Sequence, residues 1–224
     1  MTDRDGLDRL MQELQREGIR DPRVLAALRK VPRELFVPPE YRAQALRNVP
    51  LPIGEGQTIS QPYVVALMTQ TLALAGTEKV LEVGTGSGYQ CAILAELSRK
   101  VVSIERIASL AEEARHRLVS LGYGNVELVV GDGSLGYPEE APYDAIVVTA
   151  GSPRVPQPLV EQLGEGGRLI LPVGSPGSQE LLLYRKIGGT TVFQRHGAVR
   201  FVPLLGREGW REREASLFRD EPRW

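Results

Sequence analysis

The chain of 224 residues holds a single cysteine, Cys91. A lone thiol cannot close an internal disulfide and offers no zinc-ligand pattern, so no disulfide scaffold and no metal site is expected. Only two histidines are present, His116 and His196, which leaves little material for histidine-based acid–base catalysis. Neither sign of charge dominates: 27 basic against 28 acidic side chains leave a net charge of −1. That balance argues against a general nucleic-acid binder, which would carry a basic excess or a basic stripe. No run approaches the roughly 18 apolar residues that span a bilayer. The charged start Met1-Thr2-Asp3-Arg4-Asp5 has no apolar segment behind it that could serve as a secretory signal. The expectation is a soluble, cytoplasmic protein with no nucleic-acid or membrane partner, a monomer being favoured.

What is present is ordinary for a globular chain, with 42% hydrophobic and 25% charged residues. A chain of this length buries a sizeable core without metal or disulfide staples. The expected organisation is one domain over 1–224. It comprises a helical cap with an attached loop region (1–76), a core (77–205) and a C-terminal tail (206–224). In the cap, Leu7, Leu10, Met11 and Leu14 recur at helical spacing before Gly18, and Asp21-Pro22 opens a second short helix. From Val31 to Gly56, prolines and glycines interrupt every regular pattern, so the stretch reads as ordered loop or short strands. Its apolar content favours a functional role, as long loops in compact domains usually have one. A helical run after Pro62 reaches about Leu74.

Beyond Lys79 the texture alternates. Strands are expected at Lys79–Val83, Val101–Glu105, Val126–Val130, Ala145–Thr149 and Arg168–Val173, with helices at Gln90–Ser98, Ala108–Leu121 and Val155–Leu163. Short apolar strands alternating with helices indicate an α/β fold: a doubly wound, mainly parallel sheet. Glu180–Ile187 and Thr191–Val202, joined by Gly188-Gly189, read as a terminal antiparallel hairpin. The tail from Arg207 is charge-balanced and reads as a solvated helix or a frayed end. Trp210 and Trp224 within it can pack back onto the domain or contact another chain. Arginine outnumbers lysine by 23 to 4, a composition bias or a mark of a heat-adapted source.

The most informative segment is Val80-Leu81-Glu82-Val83-Gly84-Thr85-Gly86-Ser87-Gly88-Tyr89, a strand entering a glycine-rich turn that opens a helix. Glycine there lets backbone approach a ligand without a Cβ clash. A dinucleotide fingerprint would place its third glycine at 89, where tyrosine stands; it comes one residue early, at Gly88. The resulting G-x-G-x-G, preceded by Glu82, resembles the first motif of the Rossmann-like S-adenosylmethionine-dependent methyltransferases. Two further acids follow in order. Glu105 ends the second strand 21 residues after Gly84, where an acid suits the ribose hydroxyls. Asp132, in Gly131-Asp132-Gly133, follows the third strand, where that class keeps a carboxylate near the adenine amino group.

The upstream stretch Leu51-Pro52-Ile53-Gly54-Glu55-Gly56-Gln57-Thr58-Ile59-Ser60-Gln61-Pro62-Tyr63 narrows the class. It closely resembles the signature of the protein-L-isoaspartate (D-aspartate) O-methyltransferases. The resemblance continues through Ala141-Pro142-Tyr143-Asp144, Gly166–Gly174 and Arg200-Phe201-Val202-Pro203-Leu204. It implies an enzyme that moves a methyl group from S-adenosylmethionine to the free α-carboxylate of isoaspartyl residues, releasing S-adenosyl-L-homocysteine. Isoaspartyl proteins and peptides, and D-aspartyl ones in some members, would be its partners. By the same resemblance, Thr58, Ile59, Ser60, Gln61, Glu82, Gly84, Thr85, Gly86, Gly88, Glu105, Arg106, Asp132 and Gly133 would face the cofactor. Ile53, Gly54, Val202 and Pro203 would flank the substrate backbone, and Ser60 would be catalytic. Leu205 departs from relatives that keep a polar residue there.

Blander readings stand beside these. Ser60 or Thr58 can simply cap the helix that starts at Pro62, and Ile53 and Val202 can be core residues. Cys91 reads as a small buried residue, and His116 as solvated. Two other functions compete: a methyltransferase for another carboxylate or a small molecule, and an inactive cofactor-binding interaction module. Tyr89 disfavours a nicotinamide oxidoreductase.

Overall fold

The chain is described over residues 3–214 by a computed structural model. Helices α1 (Asp3–Arg16) and α2 (Pro22–Lys30) form the cap. Gly18, at φ 101°, turns the chain between them, and the Asp21 carboxylate caps α2 by accepting from Arg23 N at 2.8 Å. The interrupted stretch is ordered: two short 3-10 turns, Arg33–Phe36 and Pro39–Gln44, lead to the hairpin of β1 (Leu51–Gly54) and β2 (Gln57–Ile59). Its turn residues Glu55 and Gly56 both have positive φ (51° and 68°), the hand that matches strand twist in two-residue hairpins. Helix α3 (Pro62–Leu72) follows.

The core contains β3 (Lys79–Val83), α4 (Tyr89–Leu97), β4 (Lys100–Glu105), α5 (Ala108–Ser120), β5 (Val126–Val130), β6 (Tyr143–Val148), α6 (Gln157–Glu161), β7 (Leu163–Ser175), β8 (Ser178–Ile187) and β9 (Thr190–Val199). The larger sheet has seven strands in the order β5-β4-β3-β6-β7-β8-β9. Pairing is parallel from β5 to β7 and antiparallel for β7–β8 and β8–β9. The expected Rossmann-like arrangement with a terminal hairpin is therefore present. Gly188 and Gly189, at φ 59° and 75°, make the hairpin turn. Alternate residues of β3 and β6 bury on opposite faces: Val80, Ala145 and Val147 with the cap and α3–α4, and Leu81, Val83, Ile146 and Val148 with Leu159 and Tyr143.

Several boundaries differ from expectation, β9 among them: it ends at Val199, so Val202 lies beyond the hairpin strand expected to reach it. The helix expected over Val155–Leu163 is confined to Gln157–Glu161, because Leu163 already pairs with Tyr143 as the first residue of β7. That strand is correspondingly longer than Arg168–Val173; its far half is held by β8 through to Ser175↔Ser178. The tail does pack back as far as it is described. Trp210 Nε1 donates to Gly151 O at 3.1 Å, and Trp210 N donates to Leu204 O at 2.7 Å. Trp224 lies outside the described residues. Among the described residues, no helix is long and apolar enough to cross a membrane.

Candidate active site

Strand order reverses between β3 and β6, and the carboxyl ends of parallel strands at such a point leave a crevice. A cleft of about 870 Å³, partly open to solvent, lies there, lined by residues from the turn after β3, the end of β4, the end of β6, β2 and the segment 202–205. Its place at the carboxyl ends of the strands is where sheets of this kind bind small molecules. The glycine turn forms one wall. Gly84 has φ 98°, and a Cβ on it would lie 2.5 Å from Thr149 Oγ1. Thr149 Oγ1 donates to Gly84 O at 2.6 Å, locking the turn against β6. Gly133 is equally constrained: its Cβ would meet Val83 Cγ1 at 2.6 Å.

Glu105 ties the glycine turn to the segment that follows β4. Gly86 N donates to its Oε2 at 2.8 Å and Ile107 N to its Oε1 at 2.9 Å. A carboxylate has about four acceptor sites, so both oxygens keep capacity for a diol lying in the cleft. Thr85 Oγ1 and Ser103 Oγ are 2.6 Å apart, and Ser103 Oγ donates to Glu82 Oε2 at 2.5 Å. Glu82 itself is fully buried beneath the turn and does not line the cleft. Burial pushes its carboxyl up to about 8, a rise to which the Glu105 charge adds and which bonds from Ser103 and Cys91 oppose. Asp132 is also set back. Its Oδ1 accepts from Ser134 N and Oγ (3.0 and 2.7 Å) and its Oδ2 from Arg207 N (2.8 Å), so it pins the start of the tail beside Leu205, which lines the cleft.

On the opposite wall stand Thr58 and Ile59 of β2 and Ser60, which follows the strand directly. Ser60 does not cap α3. Gln61 holds the cap position without a side-chain bond, and Asn48 Oδ1 accepts from Tyr63 N at 2.9 Å in the first turn of α3. That distant cap leaves the Ser60 hydroxyl free for the cleft. Val202 and Pro203 line the cleft half-exposed, held by Gly151 N donating to Val202 O at 2.7 Å. Ile53 is buried in the core and abuts the turn, 3.3 Å from where a Gly86 Cβ would be, while Gly54 is exposed at the hairpin end. Gly88 caps α4 at φ 90°, and Gln61 lies off the lining. Of the expected cofactor residues, Thr58, Ile59, Ser60, Gly84, Thr85, Gly86, Glu105, Arg106 and Gly133 thus converge on one cleft. The sequence reading omitted Tyr89 and Gln90, which follow the glycine turn directly, and Thr149 and Leu204, whose place in the lining comes from tertiary packing.

The model of the protein-L-isoaspartate(D-aspartate) O-methyltransferase family matches residues 6–209. The chain belongs to this family. Curated members carrying that name include one from Methanoculleus marisnigri, 56% identical over 198 residues, covering 88% of this chain and 90% of that one. Another, from Syntrophobacter fumaroxidans, is 56% identical over 204 residues, with 91% and 95% covered. A solved protein-L-isoaspartate O-methyltransferase superposes with a TM-score of 0.83 at 32% identity, over 91% of this chain and 67% of that one. A Plasmodium falciparum structure, described as a candidate member in complex with S-adenosyl-L-homocysteine, gives 0.77 at 26% identity, covering 88% and 97%. Family membership agrees with the glycine turn, Glu105 and the Thr58–Ser60 wall meeting in one cleft.

Proposed function

We infer that the chain repairs damaged proteins by transferring a methyl group from S-adenosylmethionine to the free α-carboxylate of L-isoaspartyl residues. The observation that carries this is the cleft at the strand-order reversal, with a glycine cradle and a diol-ready Glu105 on one wall and Ser60 on the other. When bound, S-adenosylmethionine supplies an electrophilic methyl carbon on a sulfonium sulfur. Gly84, Gly86 and Gly133 give its body close approach, and Glu105 accepts the ribose hydroxyls. Gly88 and Asp132 hold the turn and the tail around the site, and Arg106 and Thr58–Gln61 border it.

Ser60 orients the substrate carboxylate, while Val202 and Pro203, with the exposed Gly54 end of the β1–β2 hairpin, flank the peptide backbone; Ile53, buried beneath, supports that hairpin. An α-carboxylate with a pKa of about 3.3–3.7 is ionised at pH 7 and needs no base. Its oxygen forms the new C–O bond as the C–S bond breaks, the electron pair staying on sulfur. No proton moves. The chain's task is alignment, the kind of catalysis that positioning alone can supply.

Two measurements test this reading. Labelled methyl transfer to an isoaspartyl peptide, beside its normal aspartyl twin, is expected to modify the first and leave the second essentially untouched. Both carboxylates are ionised, so only placement discriminates; equal rates on the two, or on free small carboxylic acids, would favour a different acceptor. Calorimetry with S-adenosyl-L-homocysteine is expected to show about 10- to 100-fold weaker binding for Glu105→Ala, as losing a charged hydrogen-bond partner costs about 1.5–3 kcal/mol. Undiminished binding would remove Glu105 from the ribose.

A further inference from the structure

Arg33 is an ion without a counter-ion in a place that ions avoid. It is 2% exposed, and among the described residues no carboxylate lies within ion-pair distance of it. Its partners are carbonyls. Nη1 donates to Ala45 O at 2.6 Å and Arg47 O at 3.4 Å; Nη2 donates to Val49 O at 2.9 Å and Ser60 O at 3.1 Å. Burial lowers its pKa to about 10, which still leaves it charged at neutral pH. A buried charge carries a large desolvation cost even after relaxation. A rigid guanidinium fork is also the one side chain that can satisfy several carbonyls at fixed angles.

Where the fork points is informative. One acceptor is the backbone of Ser60 itself, and another, Val49, leads into β1. The guanidinium carbon lies 5.9 Å from the centroid of the Tyr89 ring, and Tyr89 lines the cleft directly after the glycine turn. Tyr89 meets Phe36 edge-on at 5.4 Å, Phe36 lies 5.7 Å beneath the Arg117 guanidinium, and Arg117 Nη1 donates to Ser87 O, inside the turn, at 2.6 Å. A chain of ring contacts, Arg33–Tyr89–Phe36–Arg117, therefore connects the wall that carries Ser60 with the wall that carries the glycines. Two arginines grip a carbonyl on either side of the cleft.

We propose that Arg33 is a positioning residue for methyl transfer, setting the distance between the Ser60 hydroxyl and the glycine turn through its bond to the Ser60 carbonyl and its contact with the Tyr89 ring. The proposal rests on the methyltransferase reading above and adds to it the residue that registers acceptor against donor. Geometry, not charge, is the property required. Lysine in its place keeps the charge but has no planar fork; methionine keeps only a shorter apolar stem and loses both.

The test is steady-state methylation of an isoaspartyl peptide by the wild type, Arg33→Lys, Arg33→Met, Ser60→Ala and the two double variants, with calorimetry of S-adenosyl-L-homocysteine on each. Both single Arg33 variants are expected to lose about 100-fold in kcat, the scale of an ångström-sized misplacement. KM and cofactor-product affinity are expected to stay within about threefold. Each double variant is expected to be no slower than the slower of its two single variants, because two residues acting through one contact are not additive. Additive losses, an unchanged kcat, full activity in Arg33→Lys, or cofactor affinity falling in step with kcat would each overturn the proposal. So would failure of both Arg33 variants to fold, which would make the residue one of the fold alone. A wild type inactive on the isoaspartyl peptide would instead remove the functional reading, a result distinct from any of these.

Discussion

Replacing Ser60 by alanine is expected to slow methyl transfer by about 10- to 10³-fold, on the order of 1.4–4 kcal/mol of barrier. Affinity for S-adenosyl-L-homocysteine should change far less, since Glu105 and the glycine turn stand on the other wall. The reason for so large an effect from one hydroxyl is that misplacing reacting atoms by about an ångström can cost on the order of 10²-fold. The substrate arrives already ionised, so its oxygen needs orientation toward the methyl carbon rather than activation. The hydroxyl is available for that work because Asn48, from the cap, satisfies the first turn of α3 in its stead. The pH profile separates this from base catalysis. With an acceptor pKa near 3.5, the wild-type rate should be nearly flat between about pH 6 and 7. A rate that climbs steeply there in the wild type and flattens in Ser60→Ala would reveal a titrating base coupled to Ser60. An unchanged rate in Ser60→Ala would return the residue to a spectator's place on the wall.

The sheet was legible because its signals are local. Strands at Lys79–Val83 and Val126–Val130 show their apolar runs within five residues each, and Gly188-Gly189 announces the hairpin by itself. The glycine turn was legible for the same reason, since its chemistry follows from residues adjacent in the chain. What stayed hidden was made by distance. Ser103 is one polar residue in an apolar strand, and only the parallel register Glu82↔Ser103 gives it a role. Arg33 finds its acceptors 12 to 27 residues away, in loops without periodic pattern. Asn48 caps a helix that it does not belong to, 15 residues from its partner. Asp132 was placed near the ligand by its position after a strand, yet its oxygens hold Ser134 and Arg207. The boundary of α6 was missed because Leu163 is spoken for by Tyr143, a strand partner that the helical pattern cannot display.

The acid beneath the turn gives a stability prediction of comparable size, and of unusual sign. Glu82 is fully buried, one oxygen accepting from Ser103 and the other, Oε1, without a full hydrogen bond beyond the weak Cys91 thiol. Its carboxyl is pushed from an ordinary 4.5 up to about 8, so the folded protein holds a proton at neutral pH that the unfolded chain has lost. Stability from this group is complete below about pH 4.5 and is lost as pH rises through 8, since the unfolded state binds fewer protons across that window. The full loss amounts to roughly 3–5 kcal/mol at about 1.4 kcal/mol per pKa unit. Glutamine matches the neutral acid in shape and cannot ionise. Urea unfolding of wild type and Glu82→Gln should therefore give similar midpoints near pH 5. Toward pH 9 the variant should become the more stable of the two by several kcal/mol. Only the difference between the curves is diagnostic, because exposed groups titrate alike in both proteins. Parallel curves across the range would mean that Glu82 is ionised in the folded state, held by a cation or a solvent path at the base of the cleft.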